Sequence, residues 1–167
     1  MDVFIEKIVK KQKGMKEYIS MAGIILLIPV VSVLLSMIDF FRSILFVVII
    51  FMIYGAWILV SNLNTEFEYI VTNDEIDIDK IINQKRRKRI ISVSCKLFDI
   101  VAKVNSENYS DDVKSIQKKF ITCSSMDSPD LYFATLNYKN ERAVIYFEPD
   151  ERMLKALKVF IPKKIYI

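Results

Sequence analysis

Two long uncharged apolar segments follow each other closely near the start of this chain. They cover residues 19–38 and 44–60, and only residues 39–43, which include Asp39 and Arg42, separate them. At about 1.5 Å per residue, a helix over the first segment is long enough to cross the ~30 Å hydrocarbon core of a bilayer. A charged side chain at the centre of such a helix costs at least ~2.5 kcal/mol. The pattern therefore predicts a hairpin of two membrane-spanning helices with residues 39–43 as its loop.

Lysines on the N-terminal side of the first apolar segment predict the orientation of this hairpin. Flanks and short loops that are rich in Lys and Arg stay in the cytoplasm. The N-terminal flank carries several lysines, whereas the loop offers only Arg42. Because an even number of spans returns the chain to its starting side, we expect a multi-pass protein of the cell membrane with both termini in the cytoplasm. Residues 65–167 are then a cytoplasmic domain.

The segment before the first span, residues 1–18, is predicted to be a basic cytoplasmic leader. Apolar residues, among them Ile5, Ile8 and Val9, are interspersed with its lysines. Two interpretations stay open. The lysines only set the topology, or the segment lies along the inner leaflet as an amphipathic helix that is attracted to anionic lipid.

We predict that the part of the chain after the two apolar segments forms one domain over residues 65–167. Its composition argues against several classes of function. The chain has 24 Lys and Arg against 20 Asp and Glu, a net charge of +4, without the strongly basic character typical of nucleic-acid-binding domains. It contains no histidine, which is the commonest general base and metal ligand. No nucleophile elbow or phosphate-binding glycine loop occurs. We expect no enzyme activity, no cofactor, no metal and no nucleic-acid partner.

The first half of this domain has the period-two pattern of β-strands. Apolar residues occupy alternate positions in three successive runs, which are separated by turn residues at 73–74 and 83–84. This pattern predicts an antiparallel meander with one buried face. The predicted buried positions are Phe67, Tyr69 and Val71 in the first run, Ile76 and Ile78 in the second, and Ile91, Val93 and Cys95 in the third.

The C-terminal part of the domain predicts further strands and a final helix. Residues 131–136 and 142–147 have the pattern of two strands joined by a turn. Pro149 and the acidic residues around it are typical of a helix start, with the proline in the first turn, and the helix ends before Pro162. Residues 113–123 fit either a helix or the beginning of a strand.

A meander, further strands and one C-terminal helix is the order of elements in pleckstrin-homology (PH)-like split barrels. The segment FEYIVTNDEIDIDKIINQKRRKRIISV, together with LYFATLN and IYFEPDERMLKALKVFIP, resembles bacterial membrane-anchored PH-like domain proteins and is similar to small two-span proteins of anaerobic Gram-positive bacteria. The resemblance implies an α+β fold, with an N-terminal transmembrane helical hairpin followed by a small PH-like split β-barrel and a C-terminal helix. Many eukaryotic PH domains carry a Trp in the final helix. The only Trp here is Trp57, so phosphoinositide-binding chemistry is not carried over.

Five consecutive basic residues form the most concentrated charge in the chain. Each cation near an anionic membrane surface contributes about 1 kcal/mol, and a membrane tether raises the local concentration. Three interpretations are open: contact with anionic lipid headgroups, binding of an acidic protein partner, or a solvated hairpin tip that protects a sheet edge from aggregation. The five residues are Lys85, Arg86, Arg87, Lys88 and Arg89.

Acidic residues of the second run precede this basic cluster. They lack the glycine turn and the spacing of a calcium loop. We therefore expect Asp77 or Asp79 to pair across the strands with Arg87 or Arg89.

The remaining polar candidates have ordinary structural explanations. The loop at residues 124–130 is rich in Ser and Asp, which are typical turn residues. Cys95 is predicted to be a buried, inert thiol. Cys123 is a candidate for an exposed thiol, although no cationic residue adjacent in sequence would lower its pKa.

Taken together, these patterns favour a non-catalytic, membrane-anchored binding or scaffold module at the inner leaflet, which recognises lipid headgroups or a protein partner. The alternative is an accessory subunit of a larger membrane protein complex. In that case the small residues Ser32, Ser36 and Gly55 would face the helices of a membrane protein partner.

Overall fold

The computed structural model describes residues 3–166 and divides the chain into two units. One unit combines the segment up to Lys11 with the segment that begins at Thr65, and the other is the intervening stretch from Gln12 to Asn64. The sheet-forming unit is thus assembled from both sides of the apolar segments. It extends beyond the predicted domain of residues 65–167 and includes most of the predicted leader.

The intervening unit consists of two long helices, α1 (Met15–Ser36) and α2 (Asp39–Asn62). Both are long and apolar enough to cross a membrane, and neither contains a buried residue. These two helices indicate membrane association.

The predicted loop at residues 39–43 is wrong. Only Met37 and Ile38 separate the two helices, and Asp39 begins α2. The positive end of the helix dipole favours an acidic residue in the first turn, so Asp39 is compatible with a helix start. The charge of Asp39 alone therefore does not indicate a loop between the two apolar segments.

The first sheet has four strands, and each pair of neighbouring strands in it is antiparallel. Its strands follow chain order: β1 (Phe4–Lys10), β2 (Thr65–Thr72), β3 (Glu75–Ile82) and β4 (Arg86–Ser94). The second sheet contains β5 (Phe98–Lys103), β6 (Lys118–Ile121), β7 (Tyr132–Tyr138), β8 (Glu141–Phe147) and β9 (Ile165–Tyr166) in the spatial order β6-β8-β7-β5-β9. A short 3₁₀ helix, Cys95–Leu97, connects the two sheets.

The N-terminal leader forms strand β1, and the amphipathic-helix interpretation is wrong. Phe4 lies opposite Thr72 and Lys10 lies opposite Glu66, so β1 pairs with β2 along its whole length. An isolated helix of this length is unstable in water, whereas β2 offers a complete ladder of hydrogen-bonding partners. Val9 faces the core and is buried, while Ile8 points to the other face and is half exposed.

Two β-hairpins have tight turns in which both central residues are left-handed. These residues are Asn83 and Gln84, with φ of 51° and 54°, and Lys139 and Asn140, with φ of 54° and 65°. Positive φ at both central positions is the geometry of type I′ turns, whose twist matches that of the flanking strands. The predicted turn at residues 83–84 is confirmed. The second turn also lies within its predicted region.

The main core lies between the two sheets and the C-terminal helix α4 (Glu151–Phe160). The positions that the sequence predicts as buried in β2, β3 and β4 all belong to it, together with Cys95. Residues from the second sheet and from α4 complete it, among them Phe98, Phe147, Met153 and Leu157.

A second, smaller core covers the other face of the second sheet. Phe133, Val144 and Tyr146 contribute from β7 and β8. The chain between β5 and β7 packs against them and includes both α3 (Asp111–Ser115) and β6, so residues 113–123 contain a helix end and a strand. Cys123 is buried here, and the prediction of an exposed thiol is wrong.

The start of α4 differs from the prediction. Asp150 is the N-cap, and its side chain accepts a hydrogen bond from the Met153 N–H at 2.8 Å. Because Asp150 provides this cap, Pro149 lies before the helix and not in its first turn. Glu148 follows β8 and is buried.

Candidate functional site: the basic tip and the adjacent groove

The five predicted site residues, Lys85 to Arg89, lie at the β3–β4 turn and at the start of β4. We call this segment the basic tip. The Lys85 N–H donates to the Ile82 carbonyl at 3.1 Å and closes the turn. All five side chains are exposed. The structure therefore brings the predicted site residues together on one accessible hairpin end.

Two of the five cations are paired with carboxylates on β2 and β3. Arg87 Nη2 donates to Glu68 Oε1 at 2.8 Å. Arg89 forms an ion pair with Asp77 at 2.8 Å and a further one with Asp79. The predicted cross-strand pairing of Asp77 or Asp79 with Arg89 is confirmed, and it leaves these two arginines largely neutralised.

The other three tip cations have no such partners. Within residues 3–166, Lys85, Arg86 and Lys88 make no ion pair and no side-chain hydrogen bond. Lys88 also lies opposite Lys80 in the strand register, which places two like charges side by side. Such an arrangement is unfavourable unless an anion neutralises it.

Strand register places the basic tip at a defined end of the first sheet. Thr65 lies opposite Ile82, which in turn lies opposite Arg86. The Lys11 N–H donates to the Thr65 carbonyl at 2.9 Å, so β1 ends in the same row. We call this the tether end, because β1 and β2 continue from it into the two apolar helices. Neighbouring strands are ~4.8 Å apart, so Arg86 is about 10 Å from Thr65.

An open groove of about 440 Å³ lies next to the tip, on the face of the first sheet that points away from the core. Glu6, Glu66 and Glu68 line it from β1 and β2, and Lys85, Arg86 and Arg87 of the tip line it from the β3–β4 turn and the start of β4. Ile8 and Ile81 contribute apolar surface. The groove thus combines acidic, basic and apolar side chains within one concave surface.

Glu68 is the most unusual residue of this groove. Its side chain is only 2 % exposed although it lies on the outer face of the sheet. Oε1 accepts the hydrogen bond from Arg87, but Oε2 has no donor within the described residues. Burial raises the pKa of Glu68 above its ordinary value; Arg87 opposes this shift, and the nearby Glu6 carboxyl increases it. Glu68 is therefore a shielded carboxyl whose Oε2 has no N–H donor within the described residues and whose protonated form is favoured by burial and by a hydrogen bond with Glu6.

The acidic side of the groove was not predicted from the sequence. Glu66 and Glu68 stand on the outward phase of β2, which is a signal that was present in the sequence. Glu6 joins them only because β1 pairs with β2, and that pairing was not predicted.

The cysteines and the polar loop do not form a comparable site. Burial raises the pKa of Cys95 to about 12 and that of Cys123 to about 11, so both thiols are neutral near pH 7. In the loop, the Ser124 hydroxyl donates to Glu148 at 2.7 Å. No group of three or more Cys, Asp or Glu side chains within residues 3–166 is arranged to hold a metal ion.

Two sheets that enclose one core, with a C-terminal helix against them, define a PH-like domain, and two helices long enough to span a membrane are inserted near its start. The chain belongs to the family described as "Bacterial PH-like domain (DUF6106)", whose model matches residues 1–167. No curated protein and no solved structure matches the chain. A PH-like domain is a binding or scaffold module, and such domains are generally non-catalytic.

Proposed function

We propose that this protein is a membrane-tethered binding module whose basic tip contacts anionic lipid headgroups at the cytoplasmic leaflet. The observation that carries this proposal is the position of three unpaired cations, Lys85, Arg86 and Lys88, at the tether end of the first sheet.

Chain connectivity supports this assignment. Only Leu63 and Asn64 lie between α2 and β2. An extended residue spans at most ~3.6 Å, so Thr65 stays within about 11 Å of the end of α2. Arg86 is in register with Thr65 through Ile82, which lies between them on β3. If α2 crosses the bilayer, this short connection favours contact between the tip cations and its surface.

Basic residues around the tether end favour a position of this end on the cytoplasmic side of the membrane. Lys10 and Lys11 end the β1 segment, and Lys13 and Lys16 follow before the apolar part of α1. Basic residues next to a span favour the cytoplasmic side, where anionic lipid is enriched. At about 1 kcal/mol per cation, three tip cations contribute about 3 kcal/mol to surface contact. Screening by salt should weaken this contact.

The test uses the full chain in nanodiscs and an environment-sensitive dye attached through Gln84→Cys. This position is exposed in the β3–β4 turn directly before the tip, whereas both natural cysteines are buried and protonated. We expect a blue shift of the dye on discs with phosphatidylglycerol relative to discs of phosphatidylcholine alone, and loss of that shift at high salt.

A matched pair of variants identifies the cause of the shift. Changing Lys85, Arg86 and Lys88 to Ser should abolish it. Changing three exposed lysines outside the tip removes the same charge and should leave it intact; these are Lys139, Lys158 and Lys163. Equal dye spectra on both kinds of disc, or equal behaviour of both triple variants, would overturn the proposal.

A further inference from the structure

We infer that the groove beside the basic tip binds the headgroup of a zwitterionic aminophospholipid, with its primary ammonium at Glu6 and Glu68 and its phosphate at the tip cations. This inference rests on the proposed function, since it names the ligand class of the same surface. It goes further by using the acidic side of the groove, which contact with anionic lipid alone leaves without a role.

The acidic side calls for a cationic hydrogen-bond donor. Glu68 Oε2 is buried and has no donor within the described residues, while Oε1 already accepts from Arg87. The Glu6 carboxyl lies close enough to raise the pKa of Glu68. Two carboxyl groups in such proximity favour either a shared proton or a cation between them. A primary ammonium has three N–H donors and no acceptor, so it satisfies both carboxylates at once.

An organic cation fits this place better than a metal ion. Within residues 3–166, no cluster of three or more suitable side chains is arranged around a metal position. Glu66, the third acid of the groove, is 3.8 Å from the Lys10 ammonium and is partly neutralised by it. Two carboxylates with an open approach match the donors and size of an alkylammonium group.

The basic side of the groove supplies the complementary half of the ligand site. Lys85 and Arg86 line it and have no acidic partner in the part of the chain that the structure describes. Lysine ammonium and arginine guanidinium groups bind phosphate oxygens through charge-assisted hydrogen bonds. Arg87 also lines the groove, but its guanidinium is held by Glu68. The groove thus presents an anionic and a cationic wall, which suits a ligand with both charges.

Apolar side chains of the groove fit the uncharged part of such a headgroup: Ile81 on β3 lies between the acidic and the basic wall, and Ile8 lies on the edge strand beside Glu68. Ile8 lies opposite Glu68 in the register and is 49 % exposed, and Ile81 is partly exposed. Both line the groove. They offer contact to the methylene groups between ammonium and phosphate. The groove reaches the tether end of the sheet, where the chain continues into the apolar helices. The register therefore favours a membrane lipid, and not a free phosphate compound, as the source of this headgroup.

The test titrates the full chain in phosphatidylcholine nanodiscs with three water-soluble, deacylated headgroups: glycerophosphoethanolamine, glycerophosphocholine and glycerophosphoglycerol. Methyl NMR signals of Ile8 and Ile81 report binding in the groove. We expect the ethanolamine compound to bind at least about 10-fold more tightly than the other two, because only its ammonium can donate charge-assisted hydrogen bonds to the carboxyl pair. Choline has no N–H donor, and the glycerol headgroup has no cation.

Variants of the acidic side decide whether the carboxyl pair is responsible. Glu6→Gln and Glu68→Gln should each remove the preference for ethanolamine, whereas Glu75→Gln, an exposed acid at the opposite end of the sheet, should retain it. Glu6 is exposed on an edge strand, so its variant is expected to fold even if the Glu68 variant does not. A preference that survives in Glu6→Gln would overturn the inference.

The wild-type titration separates this inference from the proposed function. Equal binding of all three headgroups, combined with a dye response at Gln84→Cys on phosphatidylglycerol discs, would mean that the carboxyl pair holds only a proton; the proposed function would then stand without the inference. Absence of headgroup binding together with absence of the dye response would overturn both.

Discussion

The two sheets of the PH-like domain share one core but differ in what lies on their outer faces. The second sheet is covered by the chain between β5 and β7, and residues such as Phe133 and Val144 are fully buried on that side. The first sheet has an outer face with shielded carboxylates, paired arginines and an open groove. Burial of apolar area stabilises the fold, whereas shielded charge contributes little stability and is suited to binding. The difference gives one outer face a structural role and is consistent with the binding role that we propose for the other.

The largest expected effect concerns how the first sheet is assembled. If a short Gly/Ser linker replaces residues 12–64, the shortened chain keeps β1 and should fold, because Lys11 and Thr65 are hydrogen-bonded neighbours. A fragment of residues 65–167 lacks β1. It should lose on the order of 5 kcal/mol from the lost Val9 burial and strand hydrogen bonds, which is enough to unfold a small domain.

Circular dichroism and denaturant unfolding of the two chains measure this difference. Equal stability would show that β1 is dispensable and would support residues 65–167 as the domain, as the sequence predicts.

The second effect compares the outer faces directly. Phe133→Ala removes a fully buried ring from the second core and should destabilise the domain by about 3–5 kcal/mol. Ile8→Ala removes a half-exposed side chain from the outer face of the first sheet and should change stability by less than about 1 kcal/mol. Unfolding of the linker-replaced chain in denaturant measures both. Similar losses would contradict the division of roles between the two faces.

A buried polar network that joins the sheets should have a smaller effect. The Tyr69 hydroxyl donates to the Thr122 carbonyl and accepts from the Glu148 N–H at 3.3 Å. Tyr69→Phe leaves both backbone groups without this partner and should cost about 1–3 kcal/mol. Tyr166→Phe, at a half-exposed position, is the matched control and should be neutral. If both variants melt at the same temperature, the network does not stabilise the contact between the sheets.

The smallest effect concerns the thiols of the two cores. Burial raises the pKa of Cys95 to about 12 and of Cys123 to about 11, whereas an unfolded thiol ionises near ~8.5. Stability that depends on neutral thiols is therefore complete below pH ~8.5 and is lost as the pH rises toward the folded values.

Unfolding midpoints between pH 7 and pH 10.5 measure this loss, and Cys123→Ala should reduce its slope. An aromatic disulfide reagent at pH 8 should modify neither natural thiol before unfolding, but it should react at once with Gln84→Cys beside the tip. Rapid modification of Cys123 in the folded chain would contradict its burial.

Local patterns predicted the first sheet well where neighbours in sequence are neighbours in space. Phe67, Tyr69 and Ile78 alternate with polar residues, and the Asn83–Gln84 turn joins adjacent strands, so the position of the basic tip followed from the sequence. The pairing of Arg89 with aspartates across β3 followed in the same way.

Features that depend on distant pairing were not predictable from local patterns. The partner of Glu6 and Ile8 is β2, which lies beyond both apolar helices in the chain. A seven-residue strand with interspersed lysines also resembles a basic flank. Without β1, the groove and the Glu6–Glu68 pair have no counterpart in the sequence pattern, and only the outward phase of Glu66 and Glu68 on β2 was visible.

Spin labels at the two ends of the first sheet test the central claim most directly. Gln84→Cys places a label beside the tip, and Thr72→Cys places one about 25 Å away, given ~3.3 Å per residue along the strands. In nanodiscs with phosphatidylglycerol, the account predicts that the Gln84 label lies at the depth of the lipid phosphates and withdraws at high salt, while the Thr72 label stays in water. Equal depths for the two labels, or a Gln84 label that stays in water at low salt, would contradict it.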